Sequence, residues 1–154
     1  MGINLMELLV DNRQHKYKIE ERLIRLLERA ALVCLAYEGW DLDYEISLSL
    51  VDDDENKELN KIYRGINCPT DVLSFPLVEG NQIIDIEEKL LGDIVISVEK
   101  VALQAKKYNH SFGREMIFLL VHSMFHLMGY DHDTKESAKD MRAREETVLS
   151  FLNL

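Results

Sequence analysis

Three of the chain's five histidines, His122, His126 and His132, stand within eleven residues and flank a glycine, Gly129. On a helix, His122 and His126 sit one turn apart, with Cβ atoms roughly 5–6 Å from each other. Two imidazoles on one face can reach one ion. Gly129 can take a positive φ and end the helix, so that the chain turns back and brings His132 to a third corner of a tetrahedron. Three nitrogen donors with no evident fourth make the pattern of a catalytic zinc-like site, whose open position takes water. Such an ion lowers the pKa of bound water toward ~7 and polarises carbonyl or phosphoryl oxygens, so the chemistry expected is hydrolysis. Two plainer readings compete with it: polar core residues without an ion, and a structural ion closed by a distant Cys or Asp. The spacing around the glycine favours the metal site, and the three-ligand set favours catalysis.

The elements that must position these residues can be read from periodicity. The ligand helix begins near Ser111 and is apolar on nearly every side from Met116 through Met128, which predicts a buried central helix. Asp133 or Thr134 caps a last helix running through Leu152, with Ala138, Met141, Val148 and Leu152 facing inward. Upstream, residues from about 3 to 10 suggest an opening strand. From about Ile19 to Ala36, apolar positions follow the helical period. Tyr44, Ile46, Leu48 and Leu50 alternate with polar residues, as in a half-buried strand. Asp52, Asp53 and Asp54 are read as the capped start of a further helix rather than as a metal site. A turn through Gly65 to Pro69 leads to a strand at Thr70–Phe75. The stretch Glu79–Lys89 is read as a loop or hairpin, and Gly92–Ile96 as another strand. Ser97 caps a helix running to about Tyr108. About four strands and four to five helices in mixed order predict an α+β fold, an α/β sandwich with a small mixed sheet, as one domain over residues 1–154.

The net charge of −10 argues against bulk attraction to nucleic acid or an anionic membrane, while leaving room for a local basic patch. Neither a signal peptide nor a transmembrane stretch is evident, and a cytoplasmic monomer or weak oligomer is expected. Cys34 and Cys68 form no CxxC and predict no disulfide framework. Lys57, Lys61, Arg64, Lys100, Lys106, Lys107 and Arg114 are the candidate phosphate contacts, each otherwise a solvated surface residue.

The H-x-x-x-H-x-x-G-x-x-H spacing matches the skeleton of the metzincin peptidases, in which Glu follows the first histidine as general base. Ser123 occupies that position here and cannot usefully accept a proton at neutral pH, which disfavours such a peptidase. The run His122-Ser-Met-Phe-His126-Leu-Met-Gly129-Tyr130-Asp131-His132 instead resembles the H-G-x-x-H-L-x-G-Y-D-H signature of the YbeY family of bacterial endoribonucleases. Three further segments agree in order: Asn60-Lys-Ile-Tyr63-Arg64-Gly65, Pro69-Thr70-Asp71-Val72-Leu73-Ser74-Phe75-Pro76, and Leu91-Gly92-Asp93-Ile94. The match runs from about Val51 to His132.

That resemblance implies a metal-dependent single-strand endoribonuclease acting in ribosomal RNA processing (maturation of the 16S rRNA 3′ end) and in ribosome quality control. It implies one zinc ion on His122, His126 and His132, with other divalent transition metals possible. Arg64 and His122 are the residues it implies for catalysis, and RNA, the ribosome or ribosomal proteins are the implied partners. Asp71, Ser74 and Asp93 are candidates to orient ligands or substrate, against plainer roles in turn and strand. Asp131 is read as a turn residue. The chain departs from the family pattern at Ser123, where glycine is usual, and at Cys68, where a basic residue is usual. Ser123 is expected to bond its own helix backbone. Cys68 weakens the case for phosphate contact in its loop and, as a thiol, could compete as a fourth ligand. Two other functions stay open: a metallohydrolase of a peptide or small molecule, and a non-enzymatic ribosome-assembly factor with a structural metal.

Overall fold

The computed structural model describes residues 6–79, 82–83 and 89–154. In chain order the first elements are β1 (Glu7–Asn12), α1 (Glu21–Tyr37), β2 (Glu45–Val51), α2 (Asp53–Arg64) and β3 (Val72–Pro76). A small hairpin of β4 (Val78–Glu79) and β5 (Gln82–Ile83) follows, then β6 (Leu90–Ser97), α3 (Val98–Lys107), α4 (Phe112–Leu127) and α5 (Lys135–Phe151). The opening strand starts later than the composition suggested, and residues 1–5 lie outside the described residues. Of the Glu79–Lys89 stretch, Glu79 and β5 belong to the hairpin, and 80–81 and 84–88 lie outside the described residues.

Helix boundaries follow local chemistry. Asp52 Oδ1 accepts from the Glu55 amide at 2.9 Å, so the acidic run is a cap, as expected. Gly65 ends the same helix at φ 70°, a left-handed turn that a side chain would strain. The hydroxyls of Ser97, Ser111 and Thr134 cap α3, α4 and α5.

The sheet has the order β1-β2-β6-β3, with β1, β2 and β6 parallel and β3 antiparallel at the edge. It is the mixed four-stranded sheet of the expected α+β fold. Alternation divides its residues between two faces. Ile46, Leu48, Leu50, Ile94 and Ile96 join the main core with Leu27, Ala30, Ala31 and the buried side of α4. Val51, Leu73 and Val95 face the other way, under Leu59 of α2 and beside Phe75. The register passes from Glu45–Leu90 to Ile46–Gly92, so Leu91 is a bulged extra residue and also enters the main core.

At Gly92 the sheet packs directly against the end of α4. A Cβ there would lie 2.5 Å from the Phe75 carbonyl oxygen and 2.7 Å from Leu127 Cδ2. The first neighbour is backbone in the β3–β6 ladder and cannot move without parting the strands. Gly92→Ala is therefore expected to lower unfolding free energy by about 1–3 kcal/mol, as overpacking does. Urea melts of both proteins check this, and an unchanged midpoint would contradict it.

Candidate metal centre and its flanking clefts

The ligand helix is rigid because its sides are packed: Met116, Leu120, Val121, Met124 and Phe125 are fully buried. The buried central helix expected from composition is therefore present. Helix α4 ends at Leu127, and Gly129 takes φ 101°. The Tyr130 amide then donates to the Phe125 carbonyl at 2.9 Å, closing the turn. That reversal carries His132 back toward the helix end. One nitrogen from each of His122, His126 and His132 lies within 4.8 Å of the others.

The other ring nitrogens decide what the converging ones can do. His126 Nδ1 is 2.9 Å from the Tyr130 carbonyl oxygen, which only accepts, so Nδ1 carries the proton. His122 Nδ1 donates in the same way to Glu145 Oε2 at 2.8 Å. Both Nε2 atoms therefore present lone pairs, and they face each other at 3.1 Å. Burial first, and the neighbouring His122 next, hold the His126 imidazole below its ordinary pKa, which keeps that lone pair available at neutral pH. Nitrogens at about 2.0–2.1 Å from a tetrahedral zinc stand roughly 3.3–3.4 Å apart. The His122–His126 pair thus stands close to the spacing a tetrahedral cation requires, and a His132 nitrogen lies within 4.8 Å of both.

Glu145 went unnoticed in the sequence because a carboxylate on an amphipathic helix usually marks the solvent side. A signal existed: it lies four residues after Met141 and three before Val148, on the inward stripe of α5, and it is 5% exposed. The Tyr130 carbonyl is held through its own side chain. Arg144 lies over the Tyr130 ring at 4.9 Å and pairs with the partly buried Glu38 at 2.8 Å, tying the turn to α1 and α5. Burial, then Glu38, push the Tyr130 hydroxyl up to about 12, so it stays protonated.

Two clefts meet at the histidines. One, of about 460 Å³, is lined by all three together with Arg64, Thr70, Asp71 and Ser74. Arg64 is aimed by its neighbours: Nη2 donates to the Ser74 carbonyl at 3.0 Å and the guanidinium lies 5.7 Å over the Phe75 ring. The loop preceding β3 is pinned by two buried asparagines of α2. Asn60 Nδ2 donates to the Cys68 carbonyl at 2.8 Å, and Asn56 Oδ1 accepts from the Thr70 amide at 2.7 Å. The second cleft, of about 700 Å³, lies between α4 and α5, with His122 and His132 on its wall.

The remaining candidates separate on these contacts. Asp71 sits at the first cleft, but its carboxylate accepts from Val72 N at 2.8 Å and Gln104 Nε2 at 3.2 Å, bonds that hold turn and helix. Ser74 contributes its carbonyl to Arg64. Asp93 pairs with Phe75 across the β6–β3 ladder, on the sheet face opposite α4, and lines neither cleft. Asp131 accepts from the Asp133 amide at 3.3 Å, a turn contact. Cys68 is exposed and stands outside the three-histidine group. Of the seven candidate phosphate contacts, Lys57, Lys61, Lys106 and Lys107 are exposed, and only Arg64 and Arg114 line either cleft.

Ser123 departs from expectation. Its hydroxyl is buried and bonds to nothing among the described residues, the helix backbone included. Ser123→Ala removes an unsatisfied polar atom and is expected to stabilise the fold by about 1 kcal/mol, read as a raised Tm. A lowered Tm would show that the hydroxyl has a partner.

Among the described residues no helix is long and apolar enough to cross a membrane. The family model for Endoribonuclease YbeY matches residues 9–153. An Endoribonuclease YbeY of Alkaliphilus oremlandii is 66% identical over 149 residues, covering 97% of this chain and 99% of its own. That of Clostridioides difficile is 51% identical over 150 residues, covering 97% and 98%. A solution structure of a Thermotoga maritima protein superposes with a TM-score of 0.62 at 27% identity, covering 97% of this chain and 92% of that one. Near-complete coverage at such identity leaves the assignment in no doubt: this chain belongs to the YbeY family of endoribonucleases, enzymes whose substrate is RNA.

Proposed function

We propose that the chain, as one domain, is a zinc-dependent endoribonuclease that cuts single-stranded RNA at the His122–His126–His132 centre. Its place is the cytoplasm, in maturation of the 16S rRNA 3′ end and in ribosome quality control, with the ribosome or ribosomal proteins as partners. The observation that carries the chemistry is the pair of Nε2 atoms facing each other at 3.1 Å while both Nδ1 atoms are committed elsewhere. When bound, the ion supplies a Lewis acid that activates water and polarises a phosphoryl oxygen. His122, His126 and His132 hold it. Glu145 and the Tyr130 carbonyl fix the tautomer and aim of the first two rings. Arg64, already oriented by Ser74 and Phe75, offers its remaining N–H donors to a phosphate in the first cleft and stabilises charge that develops there. The net charge of −10 makes weak affinity for isolated RNA the expectation, with partners supplying placement.

Metal content tests the centre directly. After equilibrium dialysis against zinc, the wild-type chain is expected to retain one ion and His126→Ala none. Equal retention by the two proteins would remove the histidines from the reading. Cells whose only copy carries His126→Ala are expected to accumulate 16S rRNA with an unprocessed 3′ end, and normal processing there would remove the ribosomal part.

A further inference from the structure

The larger cleft between α4 and α5 has features that holding a metal does not require. Glu115, Phe118 and His122 follow the i, i+3, i+7 spacing and so form one stripe of α4, and all three line the cleft. Seven residues of helix span about 10 Å, a distance that one nucleotide bridges from phosphate to base edge. Phe118 is 36% exposed on a helix whose neighbouring apolar residues are buried, and its ring lies nearly parallel to His122, 22° apart at 6.2 Å. Tyr108, 55% exposed, offers a second aromatic surface on the same wall. Glu115 is the unusual member. It is 3% exposed, and among the described residues its carboxyl makes no hydrogen bond. Burial raises its pKa, which is the sign of a carboxyl that lacks compensating donors. Arg114 and Lys139 stand at the same cleft without an ion pair among the described residues, whereas Arg142 is paired with Glu146.

We infer that this cleft is a base-reading subsite beside the cutting centre: Phe118 and Tyr108 stack one unpaired base, and Glu115 accepts hydrogen bonds from its Watson–Crick edge. Guanine fits best, because its N1–H and N2–H donors match the two oxygens of one carboxylate, while uracil places carbonyls on both sides of its single N–H. Single-stranded RNA is read in this manner, by stacking on aromatics and bonding to exposed base edges. Arg114 and Lys139 then face the backbone that runs on from the bound base. The inference rests on the histidine centre being where RNA is cut, since it makes the stacked base a neighbour of the scissile phosphate.

The test is an amide-resolved NMR titration of the zinc-loaded full chain with 5′-GMP, 5′-IMP and 5′-UMP. All three carry the same phosphate, so differences between them report on the base. GMP is expected to bind about tenfold more tightly than UMP, with IMP between them, and to shift amides of 108–118 and 138–146. Glu115→Gln is expected to reduce the GMP/UMP ratio below about threefold, and Phe118→Ala to weaken both ligands about tenfold. Equal binding of GMP and UMP by the wild type overturns the inference. So does a GMP preference that survives in Glu115→Gln with a native amide spectrum. Should Glu115→Gln not fold, the IMP comparison and the partly exposed Phe118 decide the matter. Because mononucleotides are not cleaved, failure to cut RNA would count against the proposed function and leave this result standing, and RNA cutting without base discrimination would do the reverse.

Discussion

Arg64→Ala is expected to lower kcat for RNA cleavage by about a hundred- to a thousandfold while retained zinc stays at one ion per chain. The side chain is not part of the three-histidine group, so metal content has no reason to change. What disappears is a fork of donors that Ser74 and Phe75 hold over the first cleft. Such a group acts on charge that grows in the transition state, which places the effect on kcat more than on KM. Arg64→Lys keeps the positive charge but cannot form two parallel bonds to a phosphate, and an intermediate rate is expected. A lysine variant as slow as the alanine one would assign the effect to planar geometry alone. An alanine variant within about threefold of wild type would place Arg64 outside the chemistry.

Glu145→Ala is expected to weaken zinc binding by about 10–100-fold, the usual cost of losing the partner of a metal-bound histidine. The carboxylate accepts the Nδ1 proton of His122 at 2.8 Å, and without it the ring is free to turn or to adopt the other tautomer. Glu145→Gln separates charge from aim. Its amide oxygen can still accept that proton, so affinity should fall less than in the alanine variant. Competition with a chromophoric chelator measures both. Equal loss in the two variants would point to the charge as the decisive property, and no loss in either would show that α4 alone aims His122. The effect belongs to the metal and not to the fold, so apo-protein melting separates it from simple destabilisation.

How much of this was legible beforehand depended on whether a feature is local. The four-residue step from His122 to His126 and the Gly129 turn are local, and the three histidines converge where the spacing put them. Helix caps at Asp52, Ser97, Ser111 and Thr134 were equally readable, because a cap is set by residues within one turn. What was not legible is set by tertiary neighbours. Glu145 stands on the inward stripe of α5, but its partner, His122, is met only when α5 packs against α4. Asp93 sits in a family motif, but the strand's two-residue period turns it to the face opposite α4. The antiparallel edge position of β3, which brings the Ser74 carbonyl to Arg64, depends on its pairing with β6 and on no signal within Val72–Pro76. The second cleft appears only when α4 and α5 are brought side by side.

The most direct measurement is cleavage of a labelled single-stranded RNA by the zinc-loaded chain, beside His126→Ala and a chelated sample purified through the same columns. Cutting by the loaded wild type that vanishes in both controls is the expected result. Cutting that persists undiminished in His126→Ala, or its absence from all three with zinc bound to the wild type, would contradict hydrolysis of RNA at the three-histidine centre.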